Sequence, residues 1–306
     1  MIEKVLKAIK NPRLAALVLF DKKDNRNMPD EKYLKIKYYL SLGKKLDLEN
    51  PQTFNEKLQW IKLFDRNPLY TQLVDKYLAR DYIKEKLGEE YLIPLLGVWD
   101  DPDDIDFDAL PNQFVLKCNH NSGLGMCICK DKSKLDIKKV KEELKKGLAQ
   151  DYYLSGREWP YKNVPRKVIA EKYMTDESGY ELKDYKFFCF DGEVKMLFVA
   201  KDREVEGAET KFDFFDADFN HLPFTNGHPN SQPPYFKPEN FEEMKAVAAK
   251  LSKGIPEVRV DLYNINGKIY FGEMTFFHWS GFVKYEPEEW DYKIGSYINL
   301  PKKGEK

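Results

Sequence analysis

An α+β fold in at least two lobes is predicted, on three observations. The first ninety residues carry helical caps and periodicity. From Tyr91 onward, short apolar runs are broken by Pro, Gly and Asp. A Lys- and Glu-rich stretch from Asp136 to Tyr153 reads as a helix set between strands. Antiparallel strands interleaved with helices make an α+β domain. At 306 residues the chain can bury a core shared among two or three lobes. The expected divisions are a helical region at 1–90, a smaller lobe at 91–175 with a glycine-rich loop, and a larger lobe at 176–306 with paired acids.

Thr53-Phe54-Asn55-Glu56 is a capping box, in which Thr and Glu satisfy each other's exposed backbone N–H groups. It opens a helix bearing Leu58, Trp60, Ile61 and Leu63. A second helix is expected from Pro68, which suits a first turn, to Leu87, with Gly88 as its stop. Gln113 to Lys117 and Gly125 to Cys129 read as strands joined by a polar turn. Further strands are expected over Lys167 to Tyr173, Tyr185 to Phe190 and Val194 to Ala200, the last two joined by Asp191-Gly192. Pro223 to Pro238 is a Pro-rich connection, and a helix from about Glu239 to Leu251 leads to a final hairpin. That hairpin runs from Val258 to Thr275 around Asn266-Gly267, a dipeptide suited to a tight turn.

Composition excludes some roles. Fifty basic residues balance 51 acidic ones, so no bulk charge supports a nucleic-acid partner. Twenty Phe, 19 Tyr and 5 Trp suit ring-lined pockets. The cysteines are Cys118, Cys127, Cys129 and Cys189. C-x-C without a second pair is poor zinc spacing, and they read as buried reduced thiols of a cytoplasmic protein. Lys4, Lys7, Lys10 and Arg13 precede the apolar run Leu14 to Phe20. That run is too short for a bilayer, which needs about 20 apolar residues. It is expected to pack on the body as an amphipathic helix, or else to rest weakly on the inner face of a membrane.

The chemistry concentrates in the final hairpin. Asp261 and Glu273 lie at roughly symmetric distances from its turn, so facing strands bring them together. Paired carboxylates repel unless a cation lies between them, and oxygen ligands select magnesium or manganese. Arg259, two residues from Asp261, shares its face and adds charge for an anionic substrate. Earlier in the chain, Asn119 to Gly125 forms a small polar loop after Lys117. Such a loop lets backbone N–H groups approach phosphate, or is simply a hairpin connection. His120 reads as a loop hydrogen-bonding residue. Glu171 ends an apolar strand, where it accepts from an amine or ribose hydroxyl or is an edge charge. Asp184-Tyr185-Lys186 and Lys201-Asp202-Arg203 are ion pairs when taken singly.

Taken in order, these segments resemble the ATP-grasp superfamily, in which two α+β lobes close on ATP and two magnesium ions. The wording of the chain is closer still to the TupA-like ATP-grasp family, linked to teichuronopeptide and other surface-polysaccharide biosynthesis. The resembling stretches are Thr53 to Trp60, Val74-Asp75-Lys76-Tyr77, Lys117 with Asn119 to Gly125, Ala170 to Tyr173, Asp184 to Phe187, Val258 to Asp261 and Gly272 to Phe276. The fold this resemblance implies is an ATP-grasp clasp of two α+β lobes preceded by the helical region.

By the same resemblance, Lys76 and Lys117 would contact ATP phosphates. The loop carrying Asn121, Ser122, Gly123 and Gly125 would close over them as a lid. Glu171 would hold the adenine side with Tyr173 beside it, and Asp184 the ribose. Lys186 and Arg203 would reach the phosphates or an anionic intermediate, and Arg259 the transferred phosphate or the acceptor. Asp261 and Glu273 would bind magnesium. Thr275 stands where many members have a metal-binding Asn, and it offers a weaker hydroxyl ligand.

The implied activity is ATP- and magnesium-dependent ligation of an amino acid or amine to a carboxylated sugar through an acylphosphate. The acceptor would be a glycan of capsule, exopolysaccharide or teichuronopeptide, free or lipid-linked. Two other chemistries stay open. One is phosphate transfer to a sugar hydroxyl. The other is glycosyl transfer, for which Asp216-Ala217-Asp218 has metal-binding spacing but reads as a strand end and turn. His278 and Trp279, just past the paired acids, either touch the second substrate, with an imidazole titrating near neutral pH, or belong to the core.

Overall fold

The computed structural model describes residues 11–176, 182–202 and 207–302, and in it the strands sort into two main antiparallel sheets. The smaller sheet uses β1 (Leu95–Trp99), β2 (Phe114–Cys118), β3 (Met126–Cys129) and β4 (Val168–Lys172), in the order β1-β4-β2-β3. Next come β5 (Asp184–Phe190), β6 (Glu193–Lys201), β7 (Lys211–Asp216), the short β8 (Thr225–Asn226), β9 (Val258–Ile265), β10 (Lys268–Thr275) and β11 (Tyr285–Glu286). The larger sheet has the order β10-β9-β5-β6-β7, while β8 pairs with β11. The expected strands are all present, and β1, β8 and β11 add to them.

Each sheet has its own core. Helix Ile137–Ala149 packs Leu144 against Phe114, Leu116, Val168 and Ala170 of the smaller sheet. The larger sheet shares a core with the N-terminal helices: Tyr33, Leu34, Phe54, Leu58 and Tyr70 join Phe187, Phe188 and Leu197 in one buried cluster. Helix Phe241–Ser252 covers part of this sheet with Phe241, Met244, Val247 and Leu251. Burying such side chains stabilises each by about 1.5–3 kcal/mol.

Two expected helices are interrupted. The helix expected from Pro68 to Leu87 is instead Leu69–Val74 and Ala79–Lys86. The break is chemical: Asp75 Oδ1 accepts from the backbone N–H groups of Tyr77 and Leu78 and from Asn119 Nδ2, so its carboxylate holds the turn that leads into the second helix. Lys76 then leaves the helical path, and its N–H bonds Asn119 O. The stretch expected as one helix from Asp136 to Tyr153 ends at Ala149, before the single turn Tyr153–Gly156.

The capping box is present. Thr53 Oγ1 accepts from Glu56 N–H, and Glu56 Oε2 accepts from Thr53 N–H. The same helix, Phe54–Phe64, grips the C-terminal helix Glu289–Gly295. Asn55 donates from N and Nδ2 to the Asp291 carboxylate, and Lys57 Nζ donates to the carbonyls of Gly295 and Ile298. Burial pushes the Asp291 carboxyl up to about 6, against the lowering effect of the Asn55 bonds. A raised acid favours folding while it is protonated. Stability from this group is therefore fully present below about pH 4 and is lost as pH rises through about 6. Urea unfolding across pH 4–7 should show that slope, and Asp291→Asn should flatten it.

Candidate active site

The final hairpin carries one more residue than a regular ladder allows. From Lys268↔Ile265 to Phe271↔Leu262 the pairing is regular; then it slips, and Glu273 faces Asp261 and Thr275 faces Arg259. Gly272 is the extra residue. Without this bulge Glu273 would face Val260 and point through the sheet. A Cβ on Gly272 would lie 3.0 Å from Asp261 O and 3.1 Å from the Tyr263 ring, which is why glycine suits the position. The bulge re-aims Glu273 and Thr275 onto the face of Asp261 and Arg259.

Cross-strand register then writes a row across four strands. Phe198 of β6 faces Lys186 of β5, Lys186 faces Asp261 of β9, and Asp261 faces Glu273 of β10. Arg259 chelates Asp261 through Nε–Oδ1 at 2.7 Å and Nη2–Oδ2 at 2.8 Å. Lys186 Nζ bonds Asp261 Oδ2 and lies 2.5 Å from Asp184 Oδ2. Burial pushes the Asp261 carboxyl up, and Arg259 and Lys186 oppose it. Burial also weighs against the Arg259 charge, but Asp261 and Glu273 outweigh it and raise its pKa. The guanidinium stays a cation.

Arg259 is fixed on its other edge too. Nη2 donates to Thr275 Oγ1 at 3.0 Å, and Nη1 lies 2.9 Å from His278 Nδ1. A guanidinium has only donors, so His278 Nδ1 accepts, and its Nε2–H donates to Asn226 Oδ1 at 2.9 Å. Burial, then Arg259 and Lys186, drive the His278 pKa well below its ordinary value. The imidazole is therefore a neutral buried spacer, which favours the core alternative over titration near neutral pH.

Glu273 differs from Asp261. Its nearest cations are Arg259 Nη2 at 3.6 Å and Lys76 Nζ at 3.8 Å, beyond hydrogen-bond length, and its side chain is 36% exposed. Burial pushes its carboxyl up, but Lys76, Lys186, Arg259 and Lys117 bring it down to about 2. It is an ionised carboxylate facing a cavity. Among the described residues no group of three or more His, Cys, Asp and Glu forms a metal site on its own. A hard cation here would take Glu273, with Asp261 across the row, and complete its oxygen shell from substrate and water. Thr275 Oγ1 has a lone pair left after accepting from Arg259. Glu273, with no cation at hydrogen-bond length among the described residues, fits such an ion; Asp261, both of whose oxygens accept from Arg259 and Lys186, would join it only by exchanging one of these partners.

The smaller sheet supplies the opposite wall. Val115 faces Glu171, which places Lys117 and Glu171 on one face, with Lys117 Nζ 2.6 Å from Glu171 Oε2. Arg80 Nη1 lies 3.6 Å from Glu171 Oε1. Sequence reasoning missed this arginine, because only the broken helix turns it inward. Lys76 Nζ donates to Asn121 O at 2.7 Å. The glycine loop is fixed at its base. Asn119 bonds Asp75, Pro165 O and Lys167 N, His120 Nε2 lies 3.1 Å from Gln150 O, and Asn121 Nδ2 donates to Gly147 O. Gly125 packs against Gly147 with no room for a Cβ. Only Ser122, Gly123 and Leu124 form an exposed tip, so any lid is shorter than the expected Asn119–Gly125 segment.

Two adjoining cavities result. One, of about 360 Å³, is lined by Ile93, Val115, Met126, Tyr173 and Tyr263 around Lys117 and Glu171. The other, of about 510 Å³, contains Lys76, Asn121, Ser122, Lys186, Arg259, Glu273 and Thr275. Ala200 lines both. A separate cavity of about 530 Å³ is lined by Tyr185, Val199 and Lys201, which alternate away from Asp184 and Lys186, so it lies behind the sheet. Arg203 lies outside the described residues. Burial raises the Cys118 thiol to about 11 and Cys189 to about 12, which makes them inert; all four cysteines are unbridged. Asp216 Oδ1 accepts from the N–H groups of Asp218 and Asn220, so the Asp-x-Asp spacing is used by a turn.

A family model described as TupA-like ATPgrasp matches residues 56–299. No curated protein matches significantly. Among solved structures, D-alanine–D-alanine ligase from Bacillus anthracis complexed with ATP is similar at 16% identity and a TM-score of 0.43, over 67% of this chain and 55% of that one. The D-alanine–D-alanine ligase from Helicobacter pylori is similar at 14% identity and a TM-score of 0.45, over 81% of this chain and 69% of that one. The ligase PsnB complexed with minimal precursor is similar at 11% identity and a TM-score of 0.40, over 68% and 54%. The match thus spans little more than half of two of these three proteins.

The two-pronged Asp261 contact distinguishes arginine from lysine at position 259. Arg259→Lys keeps the charge but loses the fork, the Thr275 bond and the His278 bond. The expected cost is about 3 kcal/mol, read as a lower urea midpoint at pH 7.

Proposed function

We propose that this chain, which belongs to the TupA-like ATP-grasp family and has the ATP-grasp fold, uses ATP and a divalent cation to join an amine to a carboxylate of a surface-polysaccharide precursor. The observation that carries the reading is the cross-strand row Lys186–Asp261–Glu273, flanked by Arg259, in a cavity that adjoins the pocket of Lys117 and Glu171. The smaller pocket, mostly apolar around the Lys117–Glu171 pair and Lys172, suits a nucleoside. Tyr173 lines its wall and Glu171 would take the adenine side, while Asp184, expected at the ribose, lines neither cavity and pairs with Lys186 instead. The second cavity suits phosphates, which Lys76, Lys117 and the exposed loop tip at Ser122 and Gly123 would meet.

Such chemistry needs charge management more than acid–base catalysis. An acceptor carboxylate oxygen attacks the γ-phosphorus, the bond to the bridging oxygen breaks, and ADP leaves. An amine then attacks the acyl carbon, phosphate departs, and the amine's proton passes to solvent. A bound cation supplies neutralisation of phosphate charge, and Glu273 with Asp261 would hold it. Lys186 and Arg259, braced from several sides, present fixed positive charge to the developing phosphoryl anion. The buried, neutral His278 sets the angle of Arg259. ATP chemistry of this kind belongs in the cytoplasm. Among the described residues no helix is long and apolar enough to cross a membrane.

A ligand that binds only the folded state raises its melting temperature. Millimolar ATP with magnesium should do so here, and no shift would sink the reading. Glu273→Gln should keep the fold, weaken the magnesium dependence of that shift and lower turnover about a hundredfold. With γ-labelled ATP, a ligase releases label as phosphate only when carboxylate and amine are both present. Label retained on the acceptor would mean phosphate transfer instead.

A further inference from the structure

The charged half of the larger sheet continues into an aromatic half. Phe214 faces Phe198, and Phe212 faces Ala200, so β6 and β7 extend the Lys186 row with rings on the same face. Over these rings hangs Trp279, which is 40% exposed. Its indole lies 6.1 Å from the Phe212 ring at 23°, and 5.8 Å from His228. Trp279, Phe212 and His228 all line the cavity that holds Lys186, Arg259 and Glu273. Its exposed ring gives this largely polar cavity one broad apolar surface.

The backbone under Trp279 is held in place. Trp279, Ser280 and Gly281 have φ of 50°, 54° and 65°, three left-handed residues in succession. For non-glycine residues that conformation costs about 1–2 kcal/mol each and persists only where surroundings enforce it. Helix Phe54–Phe64 enforces it. Gln59 Nε2 donates to Ser280 O at 3.1 Å and Gly281 O at 3.0 Å, while Lys62 Nζ donates to Ser280 O at 2.7 Å and to Gly156 O at 2.8 Å. A Cβ on Gly281 would meet Gln59 Nε2 at 2.3 Å, so the strap has no slack. From below, Gly227 leaves only enough room for the indole: a Cβ there would lie 3.0 Å from its Nε1.

We propose that Trp279 is the platform of the acceptor subsite, and that it stacks on the apolar face of a pyranose ring. The inference rests on the ATP-dependent ligase reading for its second substrate. The nucleoside pocket lies on the far side of Ala200, so a second substrate reaches Lys186, Arg259 and Glu273 from the Trp279 end of the cavity. The wall there alternates rings with polar groups: Tyr152, Tyr161, Thr210, His228 and Ser280. A pyranose has an apolar face for the indole and equatorial hydroxyls for such a rim. A purely aromatic ligand would leave the rim groups unpaired. The strained strap fixes the indole before the acceptor arrives, which removes an ordering cost from binding.

The test is saturation-transfer NMR on the full chain, with and without ADP and magnesium, using methyl β-D-glucopyranoside and D-glucuronate as probes. Ring protons of at least one probe should receive saturation from the wild type. Trp279→Ala should weaken that binding about tenfold, and Trp279→Phe should keep it within about threefold. The melting shift with magnesium ATP, unchanged in Trp279→Ala, shows that the variant is folded. Should alanine destabilise the strap, Trp279→Leu against Trp279→Phe makes the same comparison. Sugar binding indifferent to Trp279 overturns the proposal. So does failure of both probes, or Trp279-dependent binding of N-acetylphenylalaninamide instead. Absence of an ATP shift would refute the nucleotide reading, while the nucleotide-free arm still decides the sugar subsite.

Discussion

Everything in the site is arranged around the charge of Asp261. Its side chain is 1% exposed, and a carboxylate so placed is strongly unfavourable alone. Arg259 and Lys186 offset it, but two cations against one acid leave an excess of positive charge. Asp184 and Glu273 sit where they balance that excess. One buried carboxylate thus recruits two cations, and the cations recruit two further acids. The result is a fixed lattice of charge whose open edge, at Glu273, faces the cavity.

Such a lattice works only if its members cannot drift, and the bracing comes from far along the chain. Helix Phe54–Phe64 has no carboxylate or cation in the cavity. Yet its polar residues tie down the segment that follows β10: Asn55 and Lys57 hold the C-terminal helix, and Gln59 and Lys62 hold the strap at Ser280 and Gly281. Burial lowers the pKa of Lys62, and the charge of nearby Glu158 opposes that shift. The strap carries His278, and His278 positions Arg259. A motif that reads as an ordinary capped helix therefore acts on the site through two intermediaries.

The hairpin, its Asn-Gly turn, the facing acids and the glycine loop were legible in sequence, because each depends on residues close together in the chain. What escaped depended on partners elsewhere. Asp261 is five residues before Asn266, and Glu273 six after Gly267, so simple symmetry missed the bulge that makes them meet. Asp75 reads as a mid-helix residue until Asn119 is beside it to favour the break. Arg80 joins Glu171 only as a consequence of that break. His278 stays open between a titrating group and a core residue in the sequence, because its burial beside Arg259 is not a local property. The Asp-x-Asp spacing was read correctly as a turn, since Asn220 lies within reach of Asp216.

The charged groups of the site pair with one another. Lys117 and Arg80 face Glu171, Lys186 faces Asp184 and Asp261, Arg259 faces Asp261, and Lys76 and Arg259 stand off from Glu273. Five cations set against four carboxylates leave little net charge on the facing walls of the cleft. On the proposed reading, a nucleotide changes partners instead of filling a void. Lys117 and Lys76, held by one close acid or by none, are the cations able to turn toward phosphate. Arg259 and Lys186, held by several, stay where they are. The same side-chain type thereby serves for capture at the rim and for fixed electrostatic stabilisation at the centre, and the number of partners decides which.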